Sequence, residues 1–277
     1  MIQEQKNEAG LFAEHGAWDA LSLAGRAALV TGGTLGIGRS IALLMAHRGA
    51  RVAAHHSSAV DAAMGYPDAA QALQADAAGD GATIACLDID LMRPDAGRQV
   101  VRDAATTLGR IDVLVHAASV QVREPFAAVT ADTLERQIRV DFAATVELLQ
   151  QVVPIMVAQQ FGRIIAIGSI NQVRPHHELS VYAALKAAQH NLVVGIAKQH
   201  AGSNVTANTL SPGLIHTPRN DFRRRDMDEW DRIQKTANPM GRAGTADEVA
   251  EMAALLAAPA GAFVTGADIA IDGGGRL

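Results

Sequence analysis

Thr31-Gly32-Gly33-Thr34-Leu35-Gly36-Ile37-Gly38 follows the apolar run Ala27-Ala28-Leu29-Val30 and leads directly into Arg39-Ser40-Ile41-Ala42-Leu43-Leu44, a segment of helical period. A glycine-rich turn between a buried strand and a helix has a specific physical use. A phosphate can reach the free N–H groups and the positive dipole end of a helix N-terminus only where no side chain blocks the way. In this reading Gly32 permits the turn, Gly36 allows close approach and Gly38 lets the helix pack on the sheet. The spacing is Gly-x3-Gly-x-Gly, and the Gly-Lys-Ser/Thr ending of a phosphate-binding Walker loop is missing. A purely structural turn would also use glycine. The placement favours dinucleotide binding.

Outward from this turn, short apolar runs alternate with Ala-rich helical segments, which argues for βαβ units and a doubly wound parallel sheet. Strands are expected near 26–31, 50–55, 82–87, 112–116, 162–168, 204–210 and 268–271, with helices between them. Parallel strands covered on both faces read as continuous apolar runs, as Arg163-Ile164-Ile165-Ala166-Ile167 nearly does. No repeat, low-complexity tract or linker divides the chain, so one domain over 25–277 with an N-terminal arm over 1–24 is expected. The polar interval from Thr217 to Asn238, with Arg223-Arg224-Arg225, is either a solvated helix or a lid over a pocket.

The 277 residues are 49% hydrophobic, enough for a large core, and carry a formal charge of -5. That charge gives no reason to expect nucleic acid or an anionic membrane as a partner. No run of 18 consecutive apolar residues exists, and the polar first residues are wrong for a secretory signal. The chain is therefore expected in the cytoplasm, with a small molecule as its partner. The single cysteine, Cys86, lies in an apolar strand and is read as a packing residue. The pairs His55-His56 and His176-His177 lack a supporting Cys or carboxylate set at ligand spacing, so no metal is expected.

Ser169 should stand at the C-terminal edge of the strand ending at Ile167, where open α/β sheets bind ligands. Tyr182 comes 13 residues later and Lys186 four beyond it, on one helix face. A cation there should stabilise phenolate and lower the Tyr182 pKa from its ordinary value near 10, making it an acid or base usable near neutrality.

With these pieces together, the chain resembles the short-chain dehydrogenase/reductase family from about Gly25 to Gly275. The glycine turn, Asp112-Val113-Leu114-Val115, Ser169, Tyr182 with Lys186, Ser211-Pro212-Gly213 and Ile271-Asp272-Gly273-Gly274 carry the resemblance. It implies a seven-stranded Rossmann-like fold and an NAD(P)-dependent oxidoreductase that interconverts a carbonyl and a secondary alcohol. Ser169 would polarise the carbonyl, Tyr182 exchange its proton, and Lys186 also hold the nicotinamide ribose. Gly32, Thr34, Leu35, Gly36, Ile37 and Gly38 would form the cofactor turn, with Ile215 and Thr217, after Pro212-Gly213, at the carboxamide. Asp88, with Ile89 beside it, resembles the adenine-contacting position, although Asp88 suits a helix cap equally well.

Two positions depart from the family. His116-Ala117-Ala118-Ser119 replaces the usual Asn-Asn-Ala-Gly, so backbone at His116, Ala117 and Ala118 can still line the cleft while the supporting side-chain contacts differ. Asp141 stands where the family has a catalytic Asn, and its charge can retune Lys186. These departures motivate an alternative, a dinucleotide-binding regulatory or scaffold protein, whereas retention of Ser169, Tyr182 and Lys186 opposes it. After the second strand the chain reads His55-His56-Ser57-Ser58, with no acid there to accept a ribose 2′-OH. Donors from His56, Ser57 and Ser58 favour NADP(H), with NAD(H) the second option. A pocket wall of Ile170, Asn171, Arg174 and Leu214 is compatible with a 3-oxoacyl, sugar, polyol or ketone substrate, and His176 or His177 with touching it. The resemblance also implies association into a homodimer or homotetramer through the helices around 131–158 and 180–201, both of which carry more Ala, Val and Leu than one buried face requires.

Overall fold

The computed structural model describes residues 19–277, so most of the expected arm, including Trp18, lies outside the described residues. The arm's last residues are tied to the domain: the Leu23 N–H donates to the Arg48 carbonyl at 2.9 Å, and Leu23 itself is buried.

The central sheet is parallel throughout and has seven strands. In chain order these are β1 (Ala27–Thr31), β2 (Arg51–His56), β3 (Ile84–Asp88), β4 (Val113–His116), β5 (Gly162–Ile167), β6 (Val205–Pro212) and β9 (Asp268–Ile271). All seven expected strands are present, with β6 reaching two residues further than 204–210. The spatial order β3-β2-β1-β4-β5-β6-β9 reverses direction between β1 and β4. Strand ends diverge there, and a crevice opens above their carboxyl edge. A separate pair, β7 (Ile215–His216) with β8 (Gly244–Thr245), ties the segment after β6 to the segment before the last helix. Strands of two residues have no readable period, which is why the sequence did not announce them.

Successive strand residues face opposite sides of the sheet. Leu29, Leu114, Ile164 and Ala207 pack with helices α4 (Ala96–Leu108), α6 (Ala144–Gln159) and α7 (Ser180–His200). Val30, Val115, Ile165 and Leu210 pack on the other face with α1 (Gly36–His47), α3 (Ala69–Gly79) and α9 (Ala246–Ala257). Both faces are thus covered, as the apolar runs require. Asp112 fastens the middle of the sheet. Its fully buried carboxylate accepts from the Ala27 N–H at 2.9 Å and from Arg110.

The long helical stretch around 131–158 is divided. Helix α5 (Ala131–Gln137) passes into a π-helical segment at Ile138–Ala143 before α6 begins. This wide turn carries Asp141, which has 0% exposure, and such turns inside helices often mark functional positions. Ala131–Gln159 is apolar and long enough to cross a bilayer, but half of its most apolar stretch is buried inside the protein. It serves as a core helix.

Candidate active site

Above the β1/β4 divergence lies a cavity of about 1290 Å³, large enough for a dinucleotide together with a small substrate. The glycine turn forms its floor. Gly32 has a φ of +64°, and a Cβ there would stand 2.9 Å from the Ala118 Cα. A Cβ on Gly38 would meet the Gly32 carbonyl oxygen at 2.0 Å, so the turn closes only with glycine. Leu35, extended at the N-cap of α1, provides no side-chain acceptor for the first-turn N–H groups. Those donors are available to a phosphate. Thr31 fixes the opposite wall, where its hydroxyl accepts from the N–H groups of Ala117 and Ala118, each at 3.2 Å.

Most of the predicted cofactor residues line this one cavity: Gly32, Thr34, Leu35, Gly36, Ile37, Gly38, His56, Ser57, Ile89, Ala117, Ala118, Pro212, Gly213, Ile215 and Thr217. Ser58, Asp88 and His116 do not. Asp88 accepts from the Ser58 N–H at 2.9 Å, the first residue of α2 (Ser58–Ala63), so it acts as that helix's cap. These Ser58 contacts hold its carboxyl below the usual range.

The structure corrects the expectation that no carboxylate stands at the end of β2. Asp61, one turn into α2, is buried against the cavity and accepts from Thr34 Oγ1 and His56 Nδ1, both at 2.9 Å. The helix returns this acid to the edge from five residues beyond His56, out of view of a linear reading. Both contacts go to Oδ2, so His56 and Thr34 are partly committed as donors, and Ser57 is the free hydroxyl at this edge. His55 bonds through Nε2 to the Ile89 carbonyl at 2.8 Å, and burial lowers its pKa to about 4.

On the far side, Ser169 stands two residues beyond the end of β5 and Tyr182 lies in the first turn of α7, both buried and lining the cavity. Ser169 Oγ accepts from the Asn171 N–H at 3.2 Å and from Asn171 Nδ2 at 3.0 Å. A hydroxyl has two acceptor sites and one proton. With both sites filled, its proton can point only outward, toward the Tyr182 oxygen or a substrate carbonyl. Asn171 also accepts from the His176 N–H, so one side chain sets the serine and the loop behind it.

Lys186 and Asp141 stand behind this wall and do not line the cavity. Lys186 Nζ donates to the Ile167 carbonyl at 2.8 Å and to Gln189 Oε1 at 3.2 Å, and lies 5.8 Å from the centre of the Tyr182 ring. Burial lowers the lysine pKa to about 8, with Asp141 acting to raise it. The expected lowering of the Tyr182 pKa is not found in the chain by itself. Burial raises the phenol above its usual value, while Arg219 and the Ser169 hydroxyl pull the other way. The lysine amine is turned toward backbone and Gln189, which leaves desolvation dominant. Asp141 Oδ1 accepts from the Val120 N–H at 3.0 Å, but Oδ2 is buried without a partner. Burial pushes this carboxyl up to about 6 against the pull of Lys186.

His116 takes over structural work. Its Nδ1 lies 2.8 Å from Thr31 Oγ1 and its Nε2 2.8 Å from Thr145 Oγ1. The Thr145 hydroxyl spends its proton on the Asp141 carbonyl at 2.8 Å, so it must accept from His116 Nε2–H. Nδ1 then accepts from Thr31, and the imidazole is neutral. Its pKa, lowered to about 3 chiefly by burial, agrees. Gln189 Nε2 reaches Thr145 at 3.4 Å, completing a buried chain from Thr31 through His116, Thr145 and Gln189 to Lys186. Gln189 and Thr145 had no assigned role from sequence, where the available signal was a polar residue on an otherwise apolar helix face; Asn171, expected in the pocket wall, lines the cavity and in addition fixes Ser169.

The segment 217–238 forms the rim, supplying Arg219, Phe222, Arg223 and the inner face of α8 (Met227–Ala237), with Trp230 buried beneath. The side chains of His176, His177 and Glu178 lie close enough together to offer ligands to a metal. Arg123 already occupies that cluster, however, donating to Glu178 Oε2 at 2.8 Å and approaching His176 Nε2 at 3.3 Å.

A phosphate-binding turn, a crevice at the strand reversal, and a serine and tyrosine side by side on one wall of it with a lysine behind define the class: a Rossmann-like protein built for nicotinamide oxidoreduction. Residues 32–275 match the family model described as enoyl-(acyl carrier protein) reductase. The chain belongs to the short-chain dehydrogenase/reductase family. It is 35% identical over 272 residues, 94% of this chain and 97% of the relative, to a 2,3-dihydroxy-2,3-dihydro-p-cumate dehydrogenase of Pseudomonas putida. An acetoacetyl-CoA reductase of Allochromatium vinosum is 33% identical over 254 residues, covering 90% of this chain and 98% of the relative. Among solved structures, a 3-oxoacyl (acyl-carrier-protein) reductase of Agrobacterium tumefaciens C58 with NADP bound superposes with a TM-score of 0.88. Its identity is 40%, with 95% of this chain and 99% of that one covered.

Proposed function

We propose that the chain is an NADP(H)-dependent reductase or dehydrogenase, its catalytic domain spanning 25–277, that interconverts a small carbonyl compound and the corresponding secondary alcohol. The observation that carries this reading is the placement of Ser169 and Tyr182 on one wall of the cavity whose floor is the uncapped glycine turn. The bound nicotinamide supplies or accepts the hydride. Ser169, its oxygen loaded by Asn171, donates its proton to the carbonyl oxygen and holds it beside the tyrosine. Tyr182 gives its phenolic proton to that oxygen during reduction and takes it back during oxidation. Lys186, buried and held by the Ile167 carbonyl and Gln189, keeps a positive charge behind the phenol.

Preference for NADP(H) is supported by Ser57 at the cavity edge and by NADP in the Agrobacterium relative. The buried position of Asp61, already bonded to Thr34 and His56, keeps its charge partly shielded from a 2′-phosphate. We further take the enzyme to be a cytoplasmic homodimer or homotetramer, supported by the exposed apolar residues Leu134, Ile138 and Val194 on the helices expected to associate. The test is loss of reduced-nicotinamide absorbance with NADPH or NADH and a panel of ketones, aldehydes and acyl substrates. Turnover with NADPH that disappears in Tyr182→Phe supports the reading. Cofactor binding without turnover on the whole panel would instead favour a regulatory or scaffold protein.

A further inference from the structure

Arg219 follows Thr217-Pro218 and turns its exposed side chain into the cavity. Its Nη2 donates to the Ser119 carbonyl and to Ser119 Oγ, each at 3.0 Å. The guanidinium shares this cavity with the Tyr182 phenol and lies near enough to oppose the rise of its pKa. Among the described residues no carboxylate lies within ion-pair distance of it, whereas Arg123 pairs with Glu178 and Arg232 with Glu229. Arg219 therefore presents a cation with several N–H donors at the hydroxyl that must touch the reacting carbonyl. Lys186 lies just behind, and the one acid facing the pair, Asp141, is buried and already takes an N–H from Val120. A neutral ketone placed there would leave this charge uncompensated, whereas a carboxylate would receive it in a bidentate, charge-assisted contact.

We propose that Arg219 is a specificity-determining residue and that the substrate is a short 2-oxo or 3-oxo acid, or the matching hydroxy acid, whose carboxylate Arg219 binds beside the carbonyl held by Ser169 and Tyr182. This rests on the carbonyl-reducing reading above. The reaction balances as a hydride to the carbonyl carbon and one proton from Tyr182 to its oxygen, with the carboxylate unchanged. Arg219 lines the same cavity as Ser169 and Tyr182 and acts electrostatically on the phenol, so a carboxylate bound to it stands near the carbonyl carbon, as in a 2-oxo or 3-oxo acid. The Ser119 contacts are exposed and replaceable by water, so the guanidinium is free to turn to the ligand.

The test compares the wild type with Arg219→Met in two measurements on the full chain. In the first, calorimetric titrations with NADPH alone, and with oxamate and malonate in the presence of NADP, separate cofactor binding from anion binding. Expected is at least a tenfold weaker affinity for one of the two dicarbonyl anions in Arg219→Met, with NADPH affinity changed less than threefold. In the second, kcat/KM is measured for 2-oxobutanoate and 3-oxobutanoate against butanone and ethyl 3-oxobutanoate. The wild type should prefer one of the acids over its neutral counterpart by at least thirtyfold, and the variant should lose that preference through KM. Equal anion binding by both proteins overturns the proposal, and so does loss of NADPH affinity, which would assign Arg219 to a cofactor phosphate. Turnover of neutral ketones with no acid preference sinks this inference alone. Absence of turnover for every compound sinks the carbonyl-reducing reading, and the anion titration still decides the role of Arg219.

Discussion

Replacing Asp141 by Asn probes the position at which this chain leaves its family. The carboxyl is fully buried, with Oδ1 bonded to the Val120 N–H and Oδ2 without a partner, and burial raises its pKa from 3.8 to about 6. A raised pKa means that the folded state binds the proton more tightly than the unfolded chain. The resulting stability is complete below pH 3.8 and lost as pH rises through about 6. The full difference corresponds to an upper limit of about 3 kcal/mol. Asn resembles the neutral acid in shape and can still accept from Val120. The variant's advantage should be smallest at acid pH, about 1 kcal/mol near pH 4.5, and grow to as much as about 3 kcal/mol at pH 8, on the order of 5–10 °C in Tm. His55 and His116, kept neutral down to about 4 and about 3, act in the opposite direction, losing stability as pH falls below 6.5. The difference between variant and wild type isolates Asp141, because both proteins share those histidines. Melting curves at half-unit steps from pH 4.5 to 8.5 provide the assay. Asp141 also raises the Lys186 pKa, so the variant's pH-rate limb should move to lower pH. A stability difference that is flat with pH, together with superimposable rate profiles, would refute the reasoning.

Gly38→Ala forces a Cβ to within 2.0 Å of the Gly32 carbonyl; a loss on the order of 3 kcal/mol in urea unfolding and of NADPH binding by fluorescence titration is expected. His116→Ala removes the bridge between Thr31 and Thr145 at the sheet centre, and should cost about 3 kcal/mol, against a much smaller loss in the half-buried control His200→Ala. Ser57→Asp places a carboxylate at the free cavity edge; the ratio of kcat/KM for NADPH to that for NADH should fall at least tenfold, and an unchanged ratio would remove Ser57 from the selection of cofactor.

The legible part of the fold was the part that repeats. Parallel strands buried on both faces must be apolar throughout, so Ala27–Thr31 and Gly162–Ile167 announced themselves. The glycine turn was legible because sterics leave no other residue at Gly38. Contacts made across the fold were not legible. Asp61 reaches the end of β2 only by the winding of α2, and Asn171 fixes Ser169 through a turn without periodicity. The spacing of Tyr182 and Lys186 placed both on one helix face, but it did not show that the amine bonds to Ile167 and Gln189, leaving the phenol's pKa raised. Arg219 looked like one more charge in a polar segment; only the return of the chain after β6 brings it to Tyr182.

The central claim is that Tyr182 transfers the proton in a hydride-transfer reaction within this cavity. It is tested most directly by single-turnover oxidation of NADPH with the preferred carbonyl substrate, comparing the wild type with Tyr182→Phe. The account predicts a rate lower by about 10²–10⁴ in the variant, with NADPH affinity unchanged. Equal rates in the two proteins would contradict it.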